Sequence, residues 1–168
     1  MADSRLVTGI FGSRAAAEAA VKEINRRGYR QQDITVMMSE ATRTKEFGIE
    51  AATKAAEGAA VGAAVGGTVG ATLAGLVAIG TSLAIPGLGL VIAGPLAAAL
   101  AGLGAGGATG GLVGLLIGTG IPENRARVYE AGLHEGGILL GVEAKSERDA
   151  GQLEQLFESL GAQQVRQE

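Results

Sequence analysis

From Gly58 to Pro122 the chain runs for 65 consecutive residues without Asp, Glu, Lys, Arg or His. All 31 Asp, Glu, Lys and Arg residues lie outside that run. The run holds 19 of the 29 glycines and 15 alanines, so it is apolar yet carries little side-chain bulk. Leu, Ile and Val recur throughout it, which sets it apart from the polar, Ser-rich composition of a flexible linker. Backbone in such a segment has no water to bond, so helix is favoured, in lipid or in the apolar centre of an assembly, despite the glycines.

Small residues within the run are regularly spaced. Gly58, Gly62, Gly66 and Gly70 recur every fourth residue, and Ala74, Ala78 and Ser82 continue the series. Gly102, Gly106, Gly110, Gly114 and Gly118 repeat the spacing further on, flanked by Gly107 and Gly111. On a helix, each series forms a shallow groove in which two backbones approach closely, held by van der Waals and Cα–H···O contacts. The series are separated by a turn containing Pro86, Gly87 and Gly89, and Pro95 suits the first position of the second helix. The spacing therefore predicts a glycine-zipper helical hairpin over 58–122. Its first helix runs from near Ile49 to about Ser82 and its second from Gly94-Pro95 to about Thr119. Charge-free helices of about 25 residues measure roughly 37 Å, enough to span a bilayer core.

The flanking arms read as ordinary folded chain. Leu6 to Phe11 is a strand pattern, followed by Ser13 as an N-cap and by Ala17, Ala20, Val21 and Ile24 at helical spacing. Gly28 ends that helix, and Ile34 to Met38 forms a second strand with Met37 and Met38 in the core. The C-terminal arm repeats the plan: a strand over Gly137 to Ala144, a Ser146 cap with Asp149 in the first turn, then a stripe of Ala150, Leu153, Leu156, Phe157 and Leu160. Gly161 closes this helix and Gln164 to Gln167 supplies a last strand. Cap and closing glycine are 15 residues apart in both arms. Two such βαβ halves predict an α+β fold, a ferredoxin-like βαββαβ sandwich with both helices on one face and the hairpin inserted between the second and third strands. The units are then 1–40 and 123–168 as the two halves of the head, 41–57 as a charged connector, and 58–122 as the hairpin.

Chemistry-bearing residues are sparse. With no Cys, disulfides, thiolate metal sites and thiol redox chemistry are excluded. His134, the one histidine, lies among scattered Glu residues and is read as solvated surface rather than a metal ligand. Gly104, Gly106 and Gly107 lack the Lys-Ser/Thr and the preceding strand of a phosphate loop. Glu57 and Lys54 are read as an ion pair at the water boundary. Thr68, Thr72 and Thr109 bond back to helix carbonyls or across the hairpin. A net charge of −3 gives no basic field for nucleic acid. The chain is read as a non-enzyme with no catalytic, cofactor or metal site, no small-molecule substrate and no nucleic-acid partner. Its partners are further copies of itself and a bilayer or apolar guest.

Arg43, Lys45, Lys54, Arg125 and Arg127 flank the run while its tip carries no charge. This asymmetry predicts a cytoplasmic membrane location with both termini cytoplasmic. Against an ordinary span, the run contains no aromatic residue, leaving only Phe47 and Tyr129 near its ends for an interfacial belt. Ala84 to Gly94 also lacks the polar side chains of a loop in water. The second reading is therefore a soluble, closed cytoplasmic homo-oligomer, a shell or carrier whose hairpins bury an apolar interior. A pore is the third, with only threonines to line it.

The order of motifs resembles the bacterial general-stress-protein-like domain family. The resemblance rests on Val7-Thr8-Gly9-Ile10-Phe11, Ser13-Arg14, Ala17 to Val21, Gly28-Tyr29 and Asp33-Ile34-Thr35-Val36. It extends through Ala84 to Gly89, Ala93 to Leu96, Gly120 to Glu123, Tyr129-Glu130 and Gly136-Gly137. The resemblance implies a bacterial stress-associated, membrane-related protein without an assigned reaction, and it brings no catalytic residues.

Overall fold

A computed structural model describes residues 5–48, 73, 75–77, 81–85, 88–102 and 111–168, with backbone alone at 81–85, 88, 101 and 102. In chain order the elements are β1 (Arg5–Phe11), α1 (Arg14–Arg26), a 3-10 turn (Gln31–Asp33), β2 (Ile34–Ser39) and α2 (Glu40–Phe47). Then follow β3 (Thr81–Ile85), β4 (Leu88–Ala93), α3 (Pro95–Gly102), α4 (Gly111–Gly118) and α5 (Glu123–His134). The chain closes with β5 (Ile138–Ala144), α6 (Glu147–Ser159) and β6 (Gln163–Gln167). The fold is α+β, built on a six-stranded sheet in the order β3-β4-β2-β5-β1-β6. Every neighbouring pair runs antiparallel.

Both arms form the elements expected of them. Ser13 accepts from the Ala16 amide at 3.3 Å and Ser146 from the Asp149 amide at 3.1 Å. Each hydroxyl thus satisfies a first-turn donor that the helix itself leaves free. Ala17, Ala20, Val21 and Ile24 of α1 and Ala150, Leu153 and Phe157 of α6 are buried on one face of the sheet. They pack on Val7, Phe11, Val36, Met38, Leu140 and Val142, and the Phe11 and Phe157 rings meet edge to face at 5.3 Å.

The second face differs from the expectation that helices lie on one side only. Ile10, Met37, Leu90, Ile92 and Leu139 form a separate core there, covered by Leu96 and Leu100 of α3, Leu112, Leu115 and Leu116 of α4, and Tyr129 and Leu133 of α5. The physical reason is visible in β2 and β5. Ile34-Thr35-Val36-Met37-Met38 and Ile138-Leu139-Leu140-Gly141-Val142 are nearly continuous apolar runs, so both faces of the sheet need cover.

A further correction concerns residues 81–93. The expected end of a first helix and its loop are instead β3 and β4, paired from Thr81↔Ile92 to Ile85↔Leu88. Thr81, Ile85, Val91 and Ile92 are β-branched, and β4 pairs with β2 from Val36↔Ala93 to Ser39↔Leu90. That ladder supplies partners for β2 backbone groups which would otherwise stand at an apolar edge. Gly89 is accordingly a strand residue beside Glu40, and Pro95 is the first residue of α3 as expected. Pro86 and Gly87, like Gly58, Gly62, Gly66 and Gly70, lie outside the described residues. Among the described residues no helix is long and apolar enough to cross a membrane.

Candidate functional site

On α4 the leucines and the zipper glycines occupy different faces. Leu112, Leu115 and Leu116 are buried against the sheet and α5, while Gly114 is half-buried and Gly118 is exposed. Ile117, next to Gly118, is 44 % exposed. Neighbouring α3 has the same polarity: Leu96 and Leu100 are buried, and Ala98 and Ala99 are exposed. The three-to-four-residue spacing of Leu in this part of the run docks it on the sheet, which leaves Ala98, Ala99 and Gly118 outward. Of the remaining series members, Gly102 ends α3, with its backbone alone described, and Gly106 and Gly110 lie outside the described residues. An outward face of Gly and Ala admits another backbone to close range.

The two aromatic residues nearest the ends of the uncharged run, Phe47 and Tyr129, are core residues. Phe47 is 7 % exposed and Tyr129 is 0 % exposed. Arg14 stacks over the Phe47 ring at 4.7 Å and donates to the Glu46 carbonyl at 2.8 Å. Arg43, among the flanking cations, is buried as well, and its Nε and Nη2 have no hydrogen-bond partner among the described residues.

The densest polar cluster gathers at Tyr129, in the middle of α5. Its hydroxyl bonds the buried Thr8 hydroxyl of β1 and donates to the Glu168 carboxylate. Arg125, one turn earlier, donates to Glu168 Oε1 at 3.1 Å, to the Tyr129 hydroxyl at 3.1 Å and to the Gln164 carbonyl at 3.0 Å. Buried phenol oxygens require such partners, and these fasten α5 to β1 and β6. Burial, reinforced by the bond to Glu168, pushes the Tyr129 phenol up to about 12. The phenol is protonated in both folded and unfolded chains below pH 10, so its contribution to stability is full there. It is lost as pH rises from the unfolded value of about 10 through about 12. Stability should drop by about 2 kcal/mol across that window. Urea unfolding at pH 9 and pH 11.5 should show this drop in the parent and a flatter response in Tyr129→Phe; equal slopes would exclude Tyr129 as its source.

Neither this cluster nor α5 was foreseen, although α5 carries local signals. Pro122-Glu123 is a helix start, and Ala126, Tyr129 and Leu133 recur on one face. No local pattern pairs Tyr129 with Thr8, 121 positions earlier. A smaller contact involves Tyr29, which belongs to the core on the other face of the sheet. Lys145 lies 4.5 Å from the Tyr29 ring and donates to the Gly28 carbonyl at 2.9 Å. Burial raises the Tyr29 phenol above its ordinary range.

A shallow groove of about 340 Å³ lies between α5 and the start of β6, lined by Ile10, Val128, Gly132, Gly137, Gln163 and Gln164. Cβ atoms at Gly132 and Gly137 would each come within 2.6 Å of Ile10, so these glycines let α5 sit close on β1. His134 is exposed at the end of α5. Among the described residues no group of His, Asp and Glu is arranged to hold a metal ion. Comparison with protein-family models, with curated proteins and with solved structures gives no match.

Proposed function

We propose that the chain is a non-enzymatic, stress-associated protein that assembles with copies of itself through its small-residue helices, in or against the cytoplasmic membrane with both termini on the cytoplasmic side. The stress association comes from the family resemblance of its motifs. Self-assembly is supported chiefly by α4, which turns its leucines to the sheet and leaves Gly114 half-buried and Gly118 exposed. Ala98 and Ala99 on α3, and Ile117 and Gly118 on α4, are exposed and uncharged, which supports contact with a like surface. The head is proposed to be ferredoxin-like, an order supported by β2-β5-β1-β6 with α1 and α6 packed on one face.

A second reading is a soluble closed assembly with the same faces turned inward. It is favoured by the way β3, β4, α3 and α4 return to the head sheet, which buries Leu90, Ile92, Leu96 and Leu112 without lipid. Fractionation after detergent-free lysis separates the two. Retention on membranes through an alkaline carbonate wash supports the membrane reading; a uniform, detergent-free particle supports the closed assembly. Both require the zipper, so Gly114→Leu combined with Gly118→Leu should weaken self-association at least tenfold, read by sedimentation, with unchanged far-ultraviolet circular dichroism. The same loss is expected for Gly106→Leu with Gly110→Leu. Assembly beyond a dimer that survives both pairs rules out assembly through these rows.

A further inference from the structure

The sheet ends on β6 at one edge and β3 at the other. Which backbone groups face the β3 edge follows from counting across the ladders. Leu6 and Glu168 exchange both backbone hydrogen bonds, at 3.3 and 2.8 Å, so Leu6 faces β6. In an antiparallel ladder alternate residues face opposite neighbours. Val7 and Gly9 therefore face β5, at Val142 and Leu140. Leu139 and Gly141 then face β2, at Met37 and Thr35. Val36 and Met38 face β4, at Ala93 and Val91. Leu88, Leu90 and Ile92 face β3, at Ile85, Leu83 and Thr81. This leaves Ser82 and Ala84 directing N–H and C=O groups away from β4, to the side where no described strand pairs. The hairpin agrees independently: two residues separate Ile85 from Leu88, and the pair closing a two-residue turn is a hydrogen-bonded one.

The two edges differ in how they resist pairing. β6 carries Arg166, its ladder with β1 shifts register between Thr8 and Ile10, and Gln164 has φ 55°. Charge, bulge and a left-handed residue all discourage a further strand. Thr81-Ser82-Leu83-Ala84-Ile85 has no charge and no proline, and among the described residues no strand pairs with its outer side.

We infer that β3 is an interface for a second copy of this chain, paired antiparallel about a two-fold axis at Leu83. In that register Thr81 lies opposite the partner's Ile85, and Ser82 opposite the partner's Ala84. The Ser82–Ala84 pairs are the hydrogen-bonded ones, so the outward groups identified above make four new bonds, and all five residues are paired. The charge pattern selects a second copy over another strand. A charged strand would place its charges beside an edge within a run of 65 uncharged residues, with no counter-charge in that run to meet them. A second β3 brings none. The contact is isologous, and it uses a surface other than the exposed Ile117 and Gly118 of α4.

The chain has no cysteine, so Leu83→Cys introduces a single thiol. Across the axis residue 83 meets itself in a non-hydrogen-bonded pair, about 4.5 Å between Cα atoms and within disulfide reach. Mild oxidation of the full-length chain should cross-link Leu83→Cys at least tenfold faster than Thr81→Cys, whose copies lie four residues out of register. Leu83→Lys should remove the corresponding dimer in sedimentation while circular dichroism is unchanged. Equal cross-linking at the two positions, or a dimer indifferent to Leu83→Lys, would overturn the inference. The Leu83→Cys cross-link should also persist alongside Gly114→Leu and Gly118→Leu; its loss in that background would overturn a separate edge interface. Assembly beyond a dimer untouched by those two leucines would instead count against the zipper alone.

Discussion

Gly94→Ala should destabilise the protein by about 3 kcal/mol or more, because it combines a strained backbone with overpacking. Gly94 joins β4 to α3 with φ 93°. A Cβ there would stand 2.1 Å from the Ile34 carbonyl oxygen and 2.8 Å from the Thr35 Cα, both backbone atoms of β2 that cannot swing aside. The Gly94 carbonyl accepts from Ala97 at 3.0 Å, and the Leu96 amide donates to the Thr35 hydroxyl at 3.2 Å. Alanine would push α3 off the second face together with Leu96 and Leu100. Gly120 provides the control, since it has φ 94° but nothing within 4 Å of its Cβ position. Gly120→Ala should therefore cost only the conformational part, about 1 kcal/mol. The difference in urea midpoint between the two variants measures the steric contribution; equal losses would mean that β4 and β2 can separate there at little cost.

Arg125→Met is expected to cost about 2–4 kcal/mol, toward the range for breaking a buried ion pair by removing one partner. The Arg125 and Glu168 side chains are only 14 % and 10 % exposed, so little water is available to replace the guanidinium. Its removal leaves the carboxylate beside Tyr129 without a counter-charge. It also frees the Gln164 carbonyl, held at a residue with φ 55°. Glu168→Gln in the Arg125→Met background should recover part of the loss, since a neutral amide needs no counter-charge. Thermal unfolding of the single and double variants provides the comparison. A double variant no more stable than Arg125→Met would place the cost in the β6 backbone rather than in the orphaned carboxylate.

The head was legible where the signal was local. The Ser13 and Ser146 caps and the buried stripes of α1 and α6 follow from residues within a turn or two of one another. Gly28 and Gly161 end the same helices at φ 84° and 80°. Residues 81–93 were not legible in this way, because periodicity in a Gly- and Ala-rich run barely separates helix from strand. The free side of β2 decided the matter. The Tyr129 cluster was beyond local reading for a related reason: its partners come from β1, α5 and the end of the chain.

The sequence by itself determined that two charged arms fold about amphipathic helices and that a long uncharged segment must find apolar surroundings. Those properties follow from residue chemistry and short-range spacing. Only the tertiary structure decided where the later part of the segment goes. It returns to the sheet, because β2 and β5 are apolar on both faces and β2 would lack a neighbour on one side without β4. Leucine docking then leaves Ile117 and Gly118 of α4 exposed. Glycine has too weak a preference to settle such a choice alone, so the nearest unsatisfied backbone and the nearest uncovered apolar face settle it.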